Sequence, residues 1–179
     1  MSLPRITFVM ALKTTNTMTT QTDSTPTVQL TEKVVPPFTA LCFTTRTTLK
    51  DLSQYYGVVA NQMRQEAQRL NLEVTGPVQW VYTGATGDLE KEFQLEIALP
   101  VSEAAGEPES FTFREFDSFR CVSYTHVGPW SDLMAVYDAF FAEFYRLGYQ
   151  DGSHVREIYT VVDLDTPANN VTEIQVSLA

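Results

Sequence analysis

The feature that most constrains this chain is that it repeats itself. A shift of 77 residues carries Tyr159-Thr160 onto Tyr82-Thr83, Ile158 onto Val81, Glu173-Ile174 onto Glu96-Ile97, and Arg146-Leu147 onto Arg69-Leu70. Apolar positions on the helices obey the same offset, since Val136, Phe140 and Leu147 fall on Val59, Met63 and Leu70. Agreement at several separate places with one offset points to two copies of one unit. Two copies predict a pseudo-two-fold arrangement with a cleft between halves, a common seat for ligands.

The content of the unit follows from its periodicity. Repeat one opens at Val34-Val35-Pro36-Pro37 and continues as a strand over 38–45. A helix is expected over 49–70, because Leu52, Tyr56, Val59, Met63, Ala67 and Leu70 recur at steps of three and four. Gly76-Pro77 ends the connection, and strands over 78–83 and 92–101 flank a turn at 84–88. Repeat two offers a strand over 113–126, a Val127-Gly128-Pro129 turn, and a helix over 131–147 with Ser131 as N-cap and Gly148 closing it. Its apolar face is Leu133, Val136, Tyr137, Phe140, Phe144 and Leu147, and strands over 154–161 and 171–178 follow. The expectation is an α+β fold of duplicated βαββ modules, about 34–101 and 111–178, with an antiparallel sheet carrying both helices on one face. Leu95, Ile97, Leu99, Ile174, Val176 and Leu178 are the helix-facing set, leaving Glu96, Ala98, Glu173 and Gln175 for the other face.

Length and composition set the class. With 179 residues and 44% hydrophobic content the chain can bury one ordinary core. A net charge of −10 argues against direct nucleic-acid binding, which needs clustered Lys and Arg. No run approaches the roughly 18 apolar residues of a membrane helix. Residues 1–27 are Thr-rich and lose apolar period after Leu12, so they read as a flexible arm, with Met18 an alternative start. The short apolar run 6–12 is at the lower limit for a signal peptide, and a cytoplasmic location is expected. Cys42 and Cys121 sit in strands near the repeat offset; they could be buried thiols or a disulfide, and a cytoplasmic chain favours thiols. There is no phosphate loop, dinucleotide fingerprint or metal-ligand spacing, so no cofactor is expected.

The chemically conspicuous residue is Glu157. Read as a strand, 154–161 puts Val155, Glu157, Tyr159 and Val161 on one face, and a carboxylate among apolar neighbours needs a cation or hydrogen-bond donors. Three readings stand: an exposed acid on an edge strand, a structural partner of Arg156, Arg120 or Arg114, or a ligand-facing anion in an aromatic pocket. The repeat partner of Glu157 is Trp80, and Tyr82 and Tyr159 share the matching face. Rings around one carboxylate suit a lipophilic cation through cation–π attraction of roughly 0.5–2 kcal/mol per ring. Either Tyr55 or Tyr56 should look into the cleft, since adjacent helical residues cannot both point inward. Tyr124 and His126 flank the strand-to-helix turn, with Trp130 beyond; His126 lacks a nucleophile motif and reads as a turn residue. Glu96 and Glu173, at one repeat position, read as sharing a structural cross-strand role.

His126-Val127-Gly128-Pro129-Trp130 before a helix, Arg156-Glu157-Ile158-Tyr159 on the next strand, and the closing run 171–178 resemble the GyrI-like small-molecule-binding family. This family includes the effector-binding domains of multidrug-responsive transcription activators, and the resemblance covers residues 28–179. It implies two βαββ modules around a hydrophobic cleft, with a glutamate that meets cationic lipophilic compounds. That glutamate corresponds to Glu157 and the aromatic strand position of the first module to Trp80; Tyr56, Tyr82, Tyr124 and Tyr159 correspond by location. Some stand-alone members hydrolyse strained cyclopropane-containing toxins with a pocket glutamate. The function expected is a stand-alone binder of hydrophobic, often cationic, small molecules. The alternatives are such a hydrolase, with Glu157 as its catalytic residue, or a gyrase-interacting inhibitor protein with DNA gyrase as its partner.

Overall fold

The computed structural model describes residues 28–179, and the segment 1–27 read as a flexible arm lies outside the described residues. Eight strands form one antiparallel sheet: β1 (Thr31–Val35), β2 (Phe38–Thr47), β3 (Gln79–Thr83), β4 (Phe93–Val101), β5 (Thr112–Phe116), β6 (Phe119–Val127), β7 (Asp151–Val161) and β8 (Val171–Leu178). Their spatial order is β1-β6-β8-β7-β3-β4-β2-β5. Replacing each strand by its repeat equivalent reverses that order without changing it, so a pseudo-two-fold axis passes between β3 and β7. The antiparallel α+β architecture with duplicated modules is as the repeat predicts.

Two helices cover one face. α1 (Val58–Arg69) packs on β2 and β4, and α2 (Leu133–Arg146) on β6. The three-and-four spacing works as expected: Val59, Met63 and Ala67 of α1 and Leu133, Val136, Tyr137, Phe140 and Phe144 of α2 are buried. They meet Leu95, Ile97, Leu99, Ile174 and Val176 in one core. Phe140 and Phe144 are sealed from water, and truncating either to Ala would cost about 3–5 kcal/mol. Leu147, expected on the apolar face, is exposed because it caps the helix just before Gly148 turns the chain away at φ +83°.

Four boundaries differ from the sequence reading. The helix expected over 49–70 breaks: a 3-10 segment Leu49–Tyr55 precedes α1, and Gly57 between them sits at φ +73°, which no helix accommodates. The strand expected over 113–126 breaks at Asp117-Ser118 into β5 and β6, which pair with β2 and with β1 and β8 respectively, not with each other. Ser131 is not an N-cap, because Trp130–Asp132 form a 3-10 turn that feeds α2, and its hydroxyl meets the Asp132 carboxylate at 3.3 Å. Finally each repeat has a leading strand, making the unit ββαββ.

These leading strands are exchanged. β1 pairs with β6 of the second repeat, and β5 pairs with β2 of the first. The exchange explains the twin glutamates on the helix-free face: Glu96 forms an ion pair with Arg114 on β5, and Glu173 with Lys33 on β1. Each acid is thus held by a cation from the other repeat's neighbourhood, the cross-strand role expected of them. Cys42 and Cys121 are buried free thiols in equivalent strands, pushed up to about 12 and about 11 by burial. Among the described residues no helix is long and apolar enough to cross a membrane.

Candidate functional site

The direction of Glu157 is set by its neighbours' register. It lies opposite Trp80 on β3 and Ile174 on β8. Directly opposed residues share a face, and Ile174 is in the helix-covered core, so Glu157 points under the helices. It is 0% exposed. The strand is central, which removes the edge-strand reading, and the arginines considered as partners are elsewhere. Arg156 faces the opposite side, Arg114 meets Glu96, and Arg120 meets Glu32.

Its partners are tyrosines. Tyr82 and Tyr159 donate to Oε2 at 2.7 and 2.5 Å, and Tyr137 donates to Oε1 at 2.8 Å. Burial raises the Glu157 pKa, and the three hydroxyls oppose that rise by favouring the carboxylate. Burial also pushes the three phenols well above their ordinary range, reinforced by the Glu157 charge. The phenols therefore remain donors, and the acid is the group in this cluster that changes charge.

Above the cluster lies an aromatic stack. The break at Gly57 turns Tyr56 off the helix into a slot between two indoles, 5.0 Å from Trp80 and 5.6 Å from Trp130, near-parallel to both at 19° and 18°. Tyr159 meets Trp80 and Trp130 edge-on at 5.9 and 5.4 Å. Trp130 is fixed by its indole N–H donating to Thr172 Oγ1 at 3.1 Å. Of the adjacent pair, Tyr56 is the residue that looks inward, while Tyr55 packs on Phe43.

Beside this stack opens a cavity of about 160 Å³, walled by Tyr56, Ala60, Val78, Trp80, Trp130 and Tyr159. Val162 and Leu164 form its outer lip, with Asn61 and Arg64 on the helix side. Its place follows from an asymmetry between the repeats. The equivalent of Ala60 on α1 is Tyr137 on α2. Tyr137 fills its half and reaches Glu157, whereas Ala60 leaves room.

The structure brings together Glu157, Trp80, Tyr82, Tyr159 and Tyr56. Trp80, Tyr159 and Tyr56 line the cavity, while Glu157 and Tyr82 lie behind that wall. Tyr124 is half-buried against the core on β6 and does not line the cavity. His126 is buried in the turn, its Nε2 3.3 Å from the Pro129 carbonyl oxygen. Tyr137 and Trp130 belong to the site although neither was singled out for it in the sequence. The signal for Tyr137 was the Ala60 pairing, which places a large side chain where the other copy has almost none.

A cavity beside the pseudo-dyad of a duplicated sheet, walled by aromatic side chains, is the build of a small-molecule-binding domain. Sequence comparison gives the family: residues 29–179 match the GyrI-like small molecule binding domain, and the chain belongs to it. Solved structures agree on the fold. The C-terminal domain of EcmrR superposes with a TM-score of 0.71 at 20% identity, covering 85% of this chain and 98% of that one. SAV2435 bound to tetraphenylphosphonium gives 0.61 at 11% identity, covering 84% and 94%. A hydrolase from Listeria innocua gives 0.54 at 12% identity, covering 86% and 93%. No curated protein matches the chain.

Proposed function

We propose that this domain binds hydrophobic, cationic small molecules, held in the cavity between Trp80, Trp130 and Tyr159 with Glu157 as the countercharge behind them. The observation that carries the reading is a carboxyl fully removed from water, directly behind an aromatic-walled cavity. A cation over these rings gains the ring attraction and, in a low-dielectric setting, the field of the acid. The likeness to a tetraphenylphosphonium-bound structure supports the same direction. The test compares tetraphenylphosphonium with neutral triphenylphosphine oxide by thermal shift and calorimetry, on wild type and Glu157→Gln. The cation should stabilise wild type, by about 2.7 kcal/mol at a hundredfold excess over Kd. Glu157→Gln should lose about tenfold in cation affinity and little for the neutral compound. Equal responses to both ligands in wild type would sink the reading.

A second reading uses the same carboxyl as a proton carrier. Burial raises its pKa toward the range useful for general acid–base work, with Tyr159 and Tyr82 in contact. In that case Glu157→Gln would still bind a cyclopropane-bearing substrate but would not turn it over, measured by product formation against ligand-induced stabilisation. The full cover over Glu157 makes binding the better supported of the two.

A further inference from the structure

The cavity has a second polar end that the binding of lipophilic cations does not use. Along α1, Ala60, Asn61 and Arg64 fall on one stripe at helical spacing, with Gly57 just before the helix, and all four line the cavity. Arg64 is the one charged side chain in that lining. Its sign is opposite to that of a site built around Glu157, and it stands out on a chain of net charge −10. Among the described residues it enters no ion pair, unlike Arg69, Arg114, Arg120 and Arg146, each of which holds a glutamate. Gly57 and Arg64 are seven positions apart, roughly 10 Å along the axis. The Gly57 end adjoins Tyr56 and the indoles in front of Glu157, and the Arg64 end is at the exposed rim.

We infer that the preferred ligand is bipolar: an elongated aromatic molecule carrying a cationic group at the indole end and a carboxylate at the Arg64 end. The inference rests on the binding reading above and narrows its ligand class. A guanidinium takes a carboxylate through two parallel N–H bonds. Asn61, one turn before it on the same stripe, can donate a further bond through its amide. A ligand with charge only at the cationic end meets Arg64 as a like charge at the entrance, which disfavours it. The apolar lip of Val162 and Leu164 faces the uncharged middle of such a molecule.

The test uses a matched pair, a trimethylammonio-naphthoate and its methyl ester, which differ only in the negative end. Binding is read by quenching of Trp80 and Trp130 emission and by calorimetry in low salt. Wild type should bind the acid about threefold to fivefold more tightly than the ester, the range of an exposed ion pair. Arg64→Gln should bring that ratio to one, and Arg64→Glu should invert it in favour of the ester; added salt should shrink the wild-type ratio. Binding of the ester with no preference for the acid, or a preference that survives Arg64→Gln, overturns the bipolar ligand and leaves the cavity reading intact. Absence of binding by either compound overturns both.

Discussion

Trp80 and Glu157 are opposed across the β3–β7 ladder and are also each other's equivalents in the 77-residue repeat. Nowhere else along this ladder do register and repeat offset coincide, so the pseudo-two-fold axis runs between these two side chains. An exact duplicate would place two indoles or two carboxylates face to face in the core. Two facing carboxylates repel, and one would have to stay protonated. Divergence at this single pair leaves one acid beside one ring system.

Trp80→Glu restores the symmetric acid pair. It should lose about 4 kcal/mol or more of stability, through the lost indole and the second buried carboxyl, read from denaturant midpoints at neutral pH. The loss should shrink on acidification, when one of the two acids accepts a proton.

Glu157→Gln should change how stability depends on pH. Burial places the folded pKa of Glu157 above its ordinary 4.5, so the folded state binds more protons than the unfolded one between those values. Stability from this group is full below 4.5 and falls as pH rises through the folded value. Urea titrations at stepped pH should show the variant gaining on wild type as pH rises above 4.5. A gap that is constant with pH would contradict the burial argument.

Glu66 should act with the opposite sign. Arg69 donates to it through Nε and Nη2 at 2.8 Å each, and the backbone N–H of Glu109 donates at 2.7 Å. These bonds hold its pKa down at about 2. Its contribution is present above 4.5 and is lost as pH falls toward 2. Glu66→Gln should unfold less steeply across that acid window, followed by circular dichroism.

Tyr56→Ala empties the slot between the indoles. Two stacking contacts at roughly 0.5–1.5 kcal/mol each predict a loss of about 1–3 kcal/mol. Trp80 and Trp130 should also gain water contact, seen as a red shift in emission. A variant with unchanged emission would mean that the slot closes on itself.

Arg156 is an ion pair's half without its other half. It is 3% exposed on the helix-free face, and burial brings its pKa down to about 10. Its Nε and Nη1 find no hydrogen-bond partner among the described residues. The guanidinium lies over Phe119 at 3.8 Å, with Phe116 and Phe38 at 5.2 and 5.6 Å. Because unpaired buried donors oppose the ring attraction, Arg156→Met should leave stability equal or raise it by about 1 kcal/mol. Arg156→Lys should lower it, since an ammonium cannot stack as a plane. Thermal melts of the pair decide this.

The sequence carried the duplication openly, because strand alternation and helix spacing recur at one offset and depend only on local pattern. It did not carry the break at Tyr56-Gly57, where apolar spacing runs straight on and only one glycine signals a stop. The β5–β6 break was hidden for a similar reason, with Asp117-Ser118 a weak interruption in a long run of strand formers. Pairing of β1 with β6 joins residues far apart in the chain and has no local signature. The side to which Glu157 points is a property of its register with Ile174, not of its own strand. Tyr137 was concealed among core positions, since a phenol that donates from the interior has the same spacing as one that only packs.

Strand exchange has a mechanical consequence. Because β1 and β5 each lie across the far half, prising the halves apart would tear three ladders at once, β1–β6, β3–β7 and β2–β5. The two lobes are clasped like linked hands, and the chamber cannot gape by rotation of one lobe against the other. Guests of different bulk have to be accommodated at the doorway, by the side chains of α1 and the 162–164 segment, over a floor that stays still.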